Sequence, residues 1–107
     1  MHKLNIIHRD IKIDNVLVAD LQRHSTFKLG DFGSAVRLAS ANDTAQLRTG
    51  TQGYMAPEML KGASYNCAVD IYSLGALLYA LLSAKLPFWD SDSQKMKKRM
   101  ISETLNL

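Results

Sequence analysis

The chain has 107 residues, 47% of them hydrophobic and 21% charged, which gives room for one small domain and excludes a disordered composition. A net charge of +3 is too mild to imply a nucleic-acid partner. Cys67 is the one cysteine, so no internal disulfide can form, which fits a reducing compartment. The N-terminus has no apolar stretch of secretory length, and the apolar-rich run 71–82 falls short of the roughly 20 residues a bilayer crossing needs. The expectation is a soluble cytoplasmic protein without a membrane partner.

Taken in chain order, residues up to Asn15 read as a loop bearing Asp10 and Asn15. Val16-Leu17-Val18 and Phe27-Lys28-Leu29 are short β-prone runs that predict a hairpin. Asp31, a third polar chemical group, follows it on a second loop, and loops held by a scaffold are where catalytic groups usually sit. The polar stretch 39–50 reads as an exposed loop. Pro57 can open a short helix running to Lys61 and stopped by Gly62.

A longer helix is predicted over 68–82, where Ile71, Leu74, Leu77, Leu78, Leu81 and Leu82 recur at three- and four-residue steps. Ala76 and Ala80 widen the apolar face, which predicts a helix central to its domain. Pro87 blocks continuation. Asp92 or Ser93 then caps a final helix through about Glu103, with Met96, Met100 and Ile101 inward. Its run Lys95, Lys97, Lys98 and Arg99 reads as a solvated face, with an acidic partner as the alternative. The pattern is α+β, mainly helical, without βαβ alternation.

The spacing of the polar groups carries more than any one of them. His8-Arg9-Asp10 is followed by Lys12 and Asn15, then by Asp31-Phe32-Gly33, then by Ala56-Pro57-Glu58. Singly, Asp10 and Asp31 read as turn carboxylates, and Asp70 as a charge at a helix N-terminus. No cysteine or second histidine stands at ligand spacing from His8, which argues against a metal role there.

Together the triplets resemble the established signature of the eukaryotic protein kinase family. The resemblance extends to Gly50-Thr51-Gln52-Gly53-Tyr54-Met55, similar to a serine/threonine kinase substrate segment. It continues in Asp70-Ile71-Tyr72-Ser73-Leu74-Gly75 and in Leu86-Pro87-Phe88. It implies the C-lobe of such a kinase over 1–107, a helical lobe whose short hairpin carries the catalytic and metal-binding loops. It also implies phosphoryl transfer from ATP to Ser/Thr hydroxyls of protein substrates, with Mg2+ as cofactor.

By that resemblance Asp10 orients the substrate hydroxyl and accepts its proton, and Lys12 places positive charge on the transferring phosphate. Asn15 and Asp31 hold magnesium, and Leu17 forms the floor under the adenine. Thr51 marks the substrate segment. His8, Arg9, Phe32, Gly33, Glu58 and Asp70 are structural, Asp70 by holding the backbone at His8 and Arg9. Arg9 can also meet a phosphate on Thr44 or Thr49, since Leu47 occupies the usual modified position.

The family's Gly-rich phosphate loop, its strand lysine and the acidic partner of that lysine do not occur in these residues. They are expected upstream, in an N-lobe or a partner chain, and this chain alone is expected to turn over poorly. The family arginine that pairs with Glu58 is expected beyond Leu107, leaving Arg48 or a lysine as substitutes. Ala84 stands where a glycine is usual after the long helix. The alternative reading is a non-catalytic regulatory or decoy fragment that binds partners through the activation segment and the basic final helix.

Overall fold

The computed structural model describes residues 1–20, 22 and 26–104. Its β structure is two nested antiparallel pairs. The inner pair joins β2 (Val16–Asp20) to β3 (Thr26–Leu29), with Leu17 opposite Lys28 and Val18 opposite Phe27. This is the hairpin expected from the two β-prone runs, with its register shifted between Val18 and Asp20. The outer pair joins β1 (Ile6–Ile7) to β4 (Val36–Arg37). Because β1 precedes and β4 follows the hairpin, closing the outer pair brings the loops 8–15 and 30–35 alongside each other. Gly30 N donates to Asn15 O at 2.8 Å and extends the ladder into those loops.

Pro57 opens α1 (Pro57–Leu60), where its missing N–H costs no helical hydrogen bond. Gly62 follows at φ 75, a left-handed stop. The helix α2 (Ala68–Ser83) matches the predicted span to within a residue. It ends on Ala84 at φ 63, whose N–H returns to Ala80 O at 2.9 Å. In α3 (Ser93–Ser102) the Asp92 carboxylate accepts from the amides of Gln94 and Lys95, the capping role expected of it. Met96 and Met100 turn inward one helical turn apart, while Lys95 and Lys98 face solvent. Arg99 leaves that basic face and donates to Glu103 and to Trp89 O.

The main core gathers Ile7, Met55, Ala56, Met59, Leu60, Tyr65, Val69, Met96 and Met100. A smaller cluster of Ile11, Tyr54, Ala76 and Leu77 lies under the inner hairpin. Burying each of these larger side chains is worth about 1.5–3 kcal/mol. Both clusters use one side of α2: Val69, Asp70, Ser73, Ala76 and Leu77 are buried at three- and four-residue steps.

The wide apolar face of α2 predicts a helix central to its domain, yet within these residues only one of its sides is covered. Its opposite face is open, with Ile71 61% and Leu82 89% exposed, and Leu74, Leu78 and Leu81 exposed with them. Periodicity identifies a helix that is apolar all round; it cannot say which elements are present to cover each side. The radius of gyration, 14.6 Å, is consistent with that openness, since a closed domain of this length has about 13 Å. Trp89 is likewise exposed.

Candidate active site

The site is assembled on one buried carboxylate. Asp70 sits in the first turn of α2 with 1% of its surface exposed. Its Oδ2 accepts from the His8 amide at 2.8 Å and its Oδ1 from the Arg9 amide at 2.9 Å. The His2 Nε2–H also donates to Oδ2 at 2.8 Å. Charge-assisted bonds of this kind are the stronger sort, and here they fix a strained turn, since Arg9 has φ 71.

The His8 ring is fully buried and uses both nitrogens. Nε2–H donates to Gly30 O at 2.8 Å, and Nδ1 accepts from the Asp10 amide at 3.1 Å. A carbonyl can only accept and an amide N–H only donate, so these bonds select one tautomer. The ring thereby ties the Asp10 backbone to the loop that leaves the hairpin. Phe32 packs edge-on against it, with ring centroids 4.9 Å apart.

On this frame Asp10, Lys12, Asn15 and Thr51 converge. The Thr51 hydroxyl donates to Asp10 Oδ1 at 2.9 Å and accepts from Lys12 Nζ at 3.0 Å. Lys12 Nζ lies 3.8 Å from Asp10 Oδ2. Asn15 Nδ2 donates to Asp10 O at 2.7 Å, which holds the amide plane and leaves Asn15 Oδ1 without a hydrogen bond among the described residues. A carboxylate, an ammonium and a hydroxyl are thus placed in one small polar cluster. Such a set can accept a proton from a hydroxyl and offset negative charge beside it.

Asp31 is exposed, on the adjacent loop next to Gly30, at φ 52. A left-handed conformation costs a non-glycine residue about 1–2 kcal/mol, and here it lets the Gly33 amide donate to Asp31 Oδ1 at 3.1 Å. Oδ2 stays free of hydrogen bonds among the described residues. Asn15 Oδ1 and the Asp31 carboxylate are hard oxygen donors of the kind magnesium takes, while the ion keeps other positions for water and phosphate. Among the described residues no three His, Cys, Asp or Glu side chains converge as a closed metal site would require. In donor chemistry, these two oxygen groups fit magnesium. Leu17 projects from β2 with its side chain exposed, and Gly30 lies close enough that a Cβ there would come within 3.0 Å of Leu17 Cδ1.

Glu58 falls outside this cluster. It is half-buried at the start of α1 and forms no ion pair with Arg48 or any lysine among the described residues. Its charge acts instead on Tyr72, whose hydroxyl is pushed above the usual tyrosine value chiefly by burial and secondarily by Glu58. Partial hydration relieves Glu58 of the full cost of an unpaired buried charge.

Sequence reasoning passed over several contributors. Ser73 Oγ donates to Tyr54 O at 2.6 Å and pins the segment 50–55 to α2. Gln52 Nε2 donates to Ser93 O at 2.9 Å and links that segment to α3. Gly50 stands at φ 108, where a Cβ would meet Arg9 O at 2.2 Å; only glycine lets the loop pass so close. Tyr65 and His2 also escaped notice, because a lone tyrosine or histidine has no spacing that marks it.

The protein kinase domain family matches residues 1–107. The chain is 40% identical over 105 residues to serine/threonine-protein kinase YPK1 of Saccharomyces cerevisiae, covering 98% of this chain and 15% of that protein. It is 38% identical to the calcium/calmodulin-dependent protein kinase type II alpha chain of Drosophila melanogaster, over 89% of this chain and 18% of the relative. The Caenorhabditis elegans calcium/calmodulin-dependent protein kinase type II is 40% identical, over 89% of this chain and 13% of its own length. The chain thus spans less than a fifth of the length of these curated relatives.

Proposed function

Since the chain belongs to the protein kinase domain family, we propose that residues 1–107 are the C-lobe portion of a serine/threonine protein kinase. The reaction is transfer of the terminal phosphoryl group of ATP to a Ser or Thr hydroxyl of a protein substrate, in a cytoplasmic setting. The observation that carries this reading is the joining of Asp10, Lys12 and Thr51 by hydrogen bonds of 2.9 and 3.0 Å through one hydroxyl.

In this reading Asp10 orients the incoming hydroxyl and takes its proton, and Lys12 sets positive charge against the phosphate oxygens. Asn15 and Asp31 hold magnesium, which supplies charge neutralisation for the phosphates. Leu17 forms apolar surface beneath the adenine. Thr51 fixes the substrate segment against the catalytic loop, and Lys12 together with Thr51 favours Ser/Thr over tyrosine as the acceptor. Phosphoryl transfer asks mainly for placement and charge, which is what a set of short polar contacts on a rigid frame supplies.

The test places this segment behind the ATP-binding lobe of a related kinase and compares Asp10→Asn with the parent on a Ser-containing peptide. The expected loss is about 100-fold or more in kcat, the range of a positioned general base. Wild-type turnover by the variant would remove Asp10 from the role. The non-catalytic alternative is separated on the 107-residue chain by thermal denaturation: stabilisation by magnesium-ATP counts against it.

A further inference from the structure

We propose that Tyr65 is a positioning residue for Asp10, a buried strut through which the loop 45–51 holds the catalytic loop in place. The role rests on reading Asp10 as the catalytic base. Tyr65 lies between α1 and α2 with its ring in the main core. Its hydroxyl accepts from Arg9 Nη1 at 3.2 Å and donates to Leu47 O. Its backbone pairs with Ala45 in both directions, at 2.9 and 2.8 Å. Three segments distant in sequence therefore meet on one phenol.

Arg9 turns this into a constraint on the site. Its amide is fixed by Asp70, its Nε donates to Ser34 O at 2.5 Å, and its Nη1 is fixed by Tyr65. Both ends of the residue preceding Asp10 are thus held, and a left-handed residue so held cannot relax without moving its neighbour. The loop runs from Ala45, bonded to Tyr65, to Thr51, bonded to Asp10. Midway, the Leu47 side chain is 68% exposed and contributes no apolar anchor, so its carbonyl bond to Tyr65 is what holds this point. Tyr65→Phe keeps the ring in the core and deletes both hydroxyl bonds.

The experiment uses the 107-residue chain, with trypsin cleavage after exposed Arg48 and backbone NMR as readouts. Tyr65→Phe is expected to speed cleavage at Arg48 about tenfold relative to cleavage within α3, the effect of losing a buried hydrogen-bonded pair. The Asp10 and Thr51 amide resonances are expected to shift, while those of Ala76 and Leu77 stay. Faster cleavage with Asp10 and Thr51 unmoved would reduce Tyr65 to a loop anchor and overturn the proposal, as would no change in either readout. If Tyr65→Phe loses the α2 resonances too, Arg9→Lys decides. That variant keeps the charge and cannot bond Ser34 and Tyr65 together; unshifted Asp10 and Thr51 amides in it overturn the proposal. Neither readout involves phosphoryl transfer, so failure of the Asp10→Asn assay and failure of the strut are distinguishable.

Discussion

The carboxylate of Asp70 and the amide of Arg9 meet at 2.9 Å across 61 residues of sequence. A second oxygen of the same group takes the His8 amide and the His2 ring. The polar cluster therefore depends on a helix that does not itself reach Asp10, Lys12 or Thr51. Asp70→Asn keeps the shape but sets an NH2 donor against an N–H or ring donor. With Asp70 buried, the expected loss is roughly 3 kcal/mol, one charge-assisted bond plus one unsatisfied donor. Urea denaturation of parent and variant should show a lower midpoint with an unchanged slope. An unchanged midpoint would mean that the loop is held some other way.

Thr51 tests the polar cluster by a different route. Its hydroxyl both donates to Asp10 and accepts from Lys12, so one oxygen fixes the spacing of two charges. Thr51→Val retains the shape of the side chain and removes both bonds; Thr51→Ser retains both. In the assembled kinase, Val should lower kcat/KM for peptide about tenfold or more, corresponding to a loss of about 1–2 kcal/mol of positioning. Ser should stay within a few-fold of the parent. Equal rates for Val and Ser would leave Thr51 outside the catalytic arrangement.

How far the sequence spoke depends on the range of the interaction. The hairpin, the Pro57 start and the Asp92 cap are local, and local chemistry made each legible. The polar cluster was legible as a motif, since Asp10, Lys12 and Asn15 lie within six positions and Thr51 belongs to a second recognisable run. The burial of α2 was not: Leu77 is 5% exposed and Leu82 89%, although both fit the same periodicity. Which leucine is covered depends on where Tyr54 and Ile11 pack, and that is tertiary information. Tyr65 and His2 were hidden for the same reason, each defined by a partner far along the chain.

Ala84 carries a cost that a substitution can remove. It ends α2 at φ 63 and ψ 14, a conformation in which a Cβ crowds the following carbonyl. Its side chain is exposed, so replacing it sacrifices little packing. Ala84→Gly should stabilise the chain by about 1 kcal/mol, less the greater freedom glycine gives the unfolded state. For a domain of this size that raises Tm by several degrees, roughly 4–8 °C per kcal/mol. A fall in Tm would show that unfolded-state entropy outweighs the relief of strain.

Tyr72 gives the fold a pH dependence of known sign. Burial, then the nearby Glu58 carboxylate, raises its hydroxyl above the ordinary 10.0. Below that value both states hold the proton and the group's contribution to stability is full. Above it the unfolded chain releases the proton first, so the folded state binds more protons and stability falls as pH rises toward the folded value. The hydroxyl has no hydrogen-bond partner among the described residues, so Tyr72→Phe should change little near neutrality. Urea denaturation of the pair should give a constant difference from about pH 7 to 9 and a steeper loss for the parent above about pH 10. Glu58→Gln should soften that loss only in part, because desolvation is the larger cause. Parallel curves for the parent and the Tyr72→Phe variant across the alkaline range would show that the hydroxyl titrates alike in both states.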